Sequence, residues 1–472
     1  MKYAYVLIVA LVCVSAYLLF DNSDDSAAAG DDSGSCGTDV TYEFESSTGT
    51  LTISGTGDIT SNPWKSYKEN IKAILIEEGV TSIVNNAFSG CTSLTSVSAP
   101  DSLECVEYSA FYNCAALTSI NGLSSVTSIG FCAFCKCAAL TSITLPDSVT
   151  TIGDTAFSEC TSLTSVIIPN SVTFLGQNAF SGCTMLATVT LSNSLQNLQY
   201  DTFSGCSALT TIVIPDSVES IGNRAFYGCT SITTVAIGNF VTYIGSSAFY
   251  ECTSLTSVTI GKSITSIDEY AFYKCDALTS VDLPNSVTSL GNYVFEKCSA
   301  LSSVTFGNSI TTIGSQAFEG CTSLTSVNFG DSLTSIGYDA FDGCTALSKV
   351  IIGNSLSSIG NRAFADCPLT SINFSTTLET VGTLAFKGTL FYDRDGDLIP
   401  STAEDLAGKS FEGKDGSLML THQEPIDDDS KIVVEDSDSG SVELIAIAAL
   451  VLSIATFAMA LVAVVLIRKK LI

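Results

Sequence analysis

Cys160-Thr-Ser-Leu-Thr-Ser-Val-Ile-Ile-Pro-Asn-Ser-Val-Thr-Phe-Leu-Gly-Gln-Asn-Ala-Phe-Ser-Gly182 is a 23-residue unit that Cys183 begins again. Cysteines recur at 91, 114, 137, 160, 183, 206, 229, 252, 275, 298, 321, 344 and 367, every step being 23 residues. A phenylalanine stands three residues before each, from Phe88 to Phe364, mostly after alanine. The last unit is one residue short and ends at Phe386 without a new cysteine. Such a fixed period is the signature of a solenoid. Leu163, Val166 and Ile168 are spaced as the inward positions of a short strand. Pro169, or Gly in other units, ends it. Val172 and Leu175 supply a second apolar stretch, and Gly176 permits a turn. One coil cannot bury its own apolar side, but stacked coils bury a continuous core. Phe157, Cys160, Phe180, Cys183, Phe203, Cys206, Phe226 and Cys229 are therefore expected as rungs of one core ladder. Thirteen coils at about 4.8 Å spacing would make a body roughly 60 Å long.

The unit Cys-x-x-Leu-x-x-Val-x-Ile-Pro-x-Ser-Val-x-x-Ile-Gly-x-x-Ala-Phe resembles the treponemal-type leucine-rich repeat of BspA-like surface proteins, over residues 80–390. Cys36-Gly-Thr and Gly49-Thr-Leu-Thr-Ile-Ser-Gly-Thr-Gly57 resemble the β-hairpin cap of that family, placed at 36–79. Phe391-Tyr-Asp-Arg-Asp-Gly and Ala407-Gly-Lys-Ser-Phe411 resemble a tail module, placed at 391–420. The resemblance implies an exported, anchored protein that adheres to host proteins or other cells. The fold expected is a leucine-rich-repeat solenoid with one short parallel strand set per coil; a right-handed parallel β-helix is the alternative.

Composition bounds the rest. The 472 residues carry 19 basic and 48 acidic side chains, a net charge of −29. A surface this acidic does not neutralise phosphates, which excludes nucleic acid as a partner. Residues 3–20 hold no charge and read as a signal peptide or signal anchor (1–20), followed by an acidic linker at 21–35. Residues 444–467 also hold no charge, and as a helix span about 36 Å. Arg468, Lys469 and Lys470 follow, so this segment reads as a single transmembrane helix with the 468–472 tail cytoplasmic and the ectodomain outside the plasma membrane. Residues 421–443 are Asp-, Glu-, Ser- and Gly-rich and read as an acidic stalk.

The candidate site residues are those that break the repeat. Two residues before the cysteine, one column reads Tyr227, Tyr250, Tyr273, Glu296, Glu319, Asp342. Three tyrosines on neighbouring coils form an aromatic strip suited to a contact surface, or to cross-strand stacking alone. Five residues after the cysteine a stripe of hydroxyls runs from Ser96 to Ser326, broken at Lys349. It serves as a binding sheet or as plain solubilising surface. Cys132-Ala-Phe-Cys135 has spacing for a disulfide, a redox pair or half a zinc site. Cys137 belongs to the ladder, however, and no second pair completes four ligands. Asp393, Asp395, Asp397 and Glu404 occupy positions 1, 3, 5 and 12 of a calcium-type loop, but Leu398 stands where that loop needs glycine. A hairpin turn explains the same residues. No cofactor other than calcium is implied. Asn373-Phe-Ser375 is a glycosylation sequon placed in a strand.

The leading function is a membrane-anchored surface protein that binds a protein or glycan through the solenoid. The alternative is an envelope spacer or coat with no specific ligand. An enzyme fits worst. The lone His422 is outside the repeat, no phosphate loop is present, and no carboxylate cluster interrupts the coils. Repeat-breaking residues gathered on one face would favour binding; scattered ones would favour a coat.

Overall fold

The structure, a computed structural model, describes residues 30–414 and 417–423. The segments read as export signal, transmembrane helix and cytoplasmic tail, and nearly all of the stalk, lie outside the described residues. Among the described residues, no helix is long and apolar enough to cross a membrane.

The N-terminal cap is an antiparallel sheet of β1 (Asp32–Ser35), β2 (Asp39–Glu45) and β3 (Thr50–Ile59). Alternation along β2 turns Val40, Tyr42 and Phe44 inward. The linker boundary at 35 is corrected by β1. The Tyr42 and Tyr67 hydroxyls both donate to the Asp32 carboxylate, at 2.9 and 2.6 Å, and tie this acidic stretch into the cap. At ten residues, β3 is long enough to start two sheets. It pairs in parallel with β4 (Ala73–Ile76) and with β5 (Val80–Ile83), so coil stacking begins inside the region assigned to the cap.

Most later coils add a longer strand to one side and a two-residue strand to another; in the coil that Cys137 begins, the longer strand is reduced to a bridge from Ser142 to Ser165. Partners are one repeat apart: Thr211↔Thr234, Ile212↔Val235, Val213↔Ala236 and Ile214↔Ile237 in one sheet, Ser220↔Tyr243 and Ile221↔Ile244 in the other. Identical sequence period and strand offset keep every apolar side chain in register with its own copy. The third side consists of turns around the Ala-Phe pair, joined coil to coil by bonds such as Phe226 N–H to Ala248 O, 2.8 Å. The residue five before the cysteine sits in the left-handed region without being glycine, as at Asn178 (φ 55°), Arg224 (φ 58°) and Tyr270 (φ 59°).

The core is a stack of rings. Phe134 and Phe157 lie 5.3 Å apart at 3°, Phe157 and Phe180 5.2 Å at 7°, and Phe226 and Phe249 5.2 Å at 5°. Trp64 opens the stack on Phe88 at 5.3 Å and anchors its indole N–H to Ala87 O at 2.7 Å. Phe391 closes it by turning edge-on to Phe386, at 89°. Burying each phenylalanine contributes about 1.5–3 kcal/mol. The expected ladder residues Phe157, Phe180, Phe203 and Phe226 and Cys160, Cys183, Cys206 and Cys229 are all fully buried.

The C-terminal module closes the open end. Strand Ser371–Asn373 pairs antiparallel with Lys409–Lys414, which pairs with Ser417–Gln423, which receives Leu390–Tyr392 in parallel. Phe391, Leu406, Phe411 and Leu418 fill the space beneath.

Candidate binding surface

In each coil the residues five and two before the cysteine lie three apart in one tight turn. Their side chains leave the same outer side. Where both are large they touch: Arg224 lies over the Tyr227 ring at 4.1 Å, and the Tyr270 and Tyr273 rings are 5.7 Å apart. The strip expected from sequence is assembled. Tyr227 stacks on Tyr250 at 4.8 Å, and Tyr250 on Tyr273 at 4.6 Å. A second, parallel stack of Tyr270 on Tyr293, 4.4 Å and 1°, joins it through Tyr250 and Tyr273. All five rings are half-buried. Burial, with Tyr293 beside it, pushes the Tyr270 phenol up to about 12, so this hydroxyl stays protonated at neutral pH.

Charged residues rim the rings in pairs. Arg224 meets Asp201 at 2.9 Å, Lys274 meets Glu251 at 2.9 Å, and Lys297 meets Glu296 at 2.8 Å. Lys297 also donates to the Tyr273 hydroxyl at 3.2 Å, and its bonds to Glu296 and Tyr273 hold its pKa up. The acidic members of the expected column are thereby occupied. Glu296 is buried against Lys297, Glu319 accepts from the Gln316 amide, and Asp342 pairs with Arg362. Sequence reading missed Tyr270, Tyr293, Arg224, Lys274 and Lys297. For Tyr270, Tyr293 and Arg224 the signal was the three-residue spacing between the two outward columns, which matters only once the turn is known to fold both to one side; Lys274 and Lys297 stand one residue before the cysteine.

The hydroxyl sheet differs in character. Thr211, Thr234 and Ser257 point outward and are exposed. One residue earlier, threonines zip the coils: Thr233 Oγ1 donates to Thr210 O at 3.1 Å and Thr256 Oγ1 to Thr233 O at 3.0 Å. Ile167 and Val213 stand exposed on the same strand side.

The four calcium candidates are not gathered. Asp393 Oδ1 accepts the N–H groups of Asp395 and Asp397 at 2.9 and 2.8 Å, inside a hairpin joining Leu390–Tyr392 to Leu398–Ile399. Glu404 lies in the first turn of a separate short helix, Ala403–Leu406. Among the described residues no group of three or more His, Cys, Asp or Glu stands close enough to hold a metal ion. Cys132 and Cys135 occupy the two outward columns of their turn as free thiols, Cys132 half-buried and Cys135 buried. The Asn373 amide donates to Ile352 O at 2.7 Å, so the sequon nitrogen is engaged.

A family model described as BspA type leucine rich repeat region, with six copies, matches residues 58–186, 150–279 and 265–391. The chain belongs to the BspA-type leucine-rich-repeat family. Its coils are thus leucine-rich repeats and not those of a separate parallel β-helix family. Among solved structures, a leucine-rich repeat protein from Bacteroides ovatus is 30% identical, covering 70% of this chain and 91% of its own, with TM-score 0.50. A leucine rich cell surface protein from Faecalibacterium prausnitzii is 28% identical over 70% of this chain and 97% of its own, with TM-score 0.42. No curated protein matches. On the BspA-type coil the tyrosine strip occupies the turn side, and the hydroxyl stripe the strand side.

Proposed function

We propose that this chain is a cell-surface binding protein that adheres to a protein ligand through the turn side of coils 206–298, with Tyr227, Tyr250, Tyr270, Tyr273 and Tyr293 as the contact residues. The observation that carries this reading is concentration. In coils 206–298 five tyrosines gather in the two turn-side columns, while the strand-side stripe keeps its small hydroxyls. A coat would have no use for such clustering. A protein ligand is favoured over a glycan by the stacking. The rings cover one another's faces and present edges and hydroxyls outward, whereas a sugar stacks on an open ring face. Paired charges keep the strip close to neutral on a strongly acidic molecule, so an approaching protein is not repelled there. The charge-free run at 3–20, and the run at 444–467 before Arg468-Lys-Lys470, support export and display on a single C-terminal membrane anchor.

The test uses beads coated with the full chain, applied to extracellular-matrix proteins, glycans and whole cells. Wild type is expected to bind a protein in the panel. The triple variant Tyr227→Ala, Tyr250→Ala, Tyr273→Ala is expected to lose about tenfold or more in affinity while staying folded by circular dichroism. Unchanged adhesion of the triple variant overturns the assignment. Capture of a glycan alone overturns the choice of ligand class.

A further inference from the structure

We propose that Cys132 and Cys135 form a thiol–disulfide exchange site for low-molecular-weight disulfides, with Cys132 as the attacking sulfur and Cys135 as the resolving one. The turn geometry brings the pair together. Cys135 N–H donates to Cys132 O at 3.1 Å, closing a tight turn across the two residues between them. Phe134 between them is fully buried and stacked on Phe111 and Phe157, both at 5.3 Å, which pins the turn to the core. The same two columns converge in other coils, as Tyr270 with Tyr273 and Gln316 with Glu319. Here both columns carry a thiol, and Cys135, then the Thr155 and Ser109 hydroxyls and the Lys136 charge, favour the ionised form of Cys132. Cys132 beside it and burial, with a smaller contribution from the Glu159 charge, hold the Cys135 thiol well above the ordinary value. The neighbours of Cys132, Cys135 first, bring its thiol down to about 7, against the opposing effect of burial. The neighbouring ladder thiol Cys137 is instead pushed up to about 12 by burial and takes no part.

The exchange balances without a further reagent. The Cys132 thiolate attacks one sulfur of a disulfide R–S–S–R. That bond breaks, RS⁻ leaves with the electron pair, and Cys132 carries the mixed disulfide. Cys135 gives up its proton to solvent and attacks the Cys132 sulfur, expelling the second RS⁻. Two protein thiols are oxidised to one disulfide, and one external disulfide is reduced to two thiols. A cross-link spanning so short a loop gains little from chain entropy, so its value is chemical and not that of a staple. The half-buried Cys132 lets a small disulfide reach it, whereas Cys135 is buried and reachable chiefly through Cys132.

The test uses the full native chain in a Cys13→Ser, Cys105→Ser background, because Cys105 is also partly exposed and Cys13 lies outside the described residues. The probe is 5,5′-dithiobis(2-nitrobenzoate), added in small excess at neutral pH. The parent is expected to release about two equivalents of thionitrobenzoate and retain none, with a disulfide between 132 and 135 seen by peptide mass mapping. Cys135→Ser is expected to release about one equivalent and keep the other as a mixed disulfide. Cys132→Ser is expected to react at least about tenfold more slowly. Retention of the probe by the parent, or equal rates for parent and Cys132→Ser, overturns the proposal. The peptide map of the parent alone decides it if a serine variant fails to fold.

Discussion

At the scale of the residue, the ladder cysteine turns out to be a hydrogen-bond donor. Each thiol from Cys114 to Cys367 donates to the carbonyl of the phenylalanine 26 residues earlier; Cys160 to Phe134 is 3.1 Å, and Cys229 to Phe203 is 3.2 Å. That carbonyl already takes the N–H of its own coil's cysteine, so the thiol fills its second lone pair across the coil boundary. Burial and periodicity of these cysteines were legible in the sequence. The donor role was not, because it depends on which carbonyl the next coil lays over the sulfur. Two outcomes follow from it. Cys229→Ala should cost about 1–3 kcal/mol in denaturant unfolding, and Cys229→Ser, which keeps a donor, should cost less. A small apolar residue would give the opposite order. Burial also lifts the Cys183 and Cys229 thiols from the ordinary 9.0 to about 12. Below pH 9 folded and unfolded chains hold these protons alike. Above it the unfolded chain releases them first, so thermal stability should hold from pH 6 to 8 and fall steeply as pH rises from 9 toward 12. A flat melting temperature across that range would contradict the burial of the ladder.

At the scale of the element, one coil departs from its neighbours. The short-strand sheet parts there, Phe174–Leu175 not being paired with Asn197–Leu198; the longer-strand sheet parts between Thr188–Thr190 and Thr211–Ile214, as it does again between Ser303–Thr305 and Ser326–Asn328. The ring stack loosens as well, to 5.6 Å for Phe180–Phe203 and 5.5 Å for Phe203–Phe226, against 5.2 Å on either side. Two substitutions to larger residues coincide in this coil. Gln199 stands in the glycine column, where a Cβ on the next glycine, Gly222, would come within 2.7 Å of backbone in the coil before it. Thr202 stands in the fully buried alanine column. Either change alone is tolerated. Asp268 replaces the glycine and Val294 the alanine, yet the short-strand sheet runs through both coils unbroken. The double variant Gln199→Gly, Thr202→Ala should therefore close the seam and gain about 1 kcal/mol, read from the urea midpoint. The coil boundaries could be read from the period to the residue. This seam could not, since each substitution is harmless alone and only the stacked pair spreads the coils.

At the scale of the whole molecule, the described chain is a ring-and-thiol ladder closed at both ends, by Trp64 under the N-terminal sheet and by Phe391 and Phe411 under the C-terminal one. The solenoid and the first tyrosine column were legible because a strict period fixes which residues share a face. The second column was hidden, because Tyr270 and Tyr293 take left-handed backbone positions (φ 59° and 62°) that put them beside the first column only in the folded turn. The central claim is that this turn side, and not the hydroxyl sheet, is where a partner docks. The most direct test measures the affinity of the best-binding matrix protein for two variants of the full chain by surface plasmon resonance. One carries Tyr227→Ala, Tyr250→Ala and Tyr273→Ala; the other carries Thr211→Ala, Thr234→Ala and Ser257→Ala. The turn-side variant is expected to bind about tenfold or more weakly, and the sheet-side variant within about twofold of wild type. Loss of binding in the sheet-side variant, with the tyrosine variant unaffected, would contradict the account.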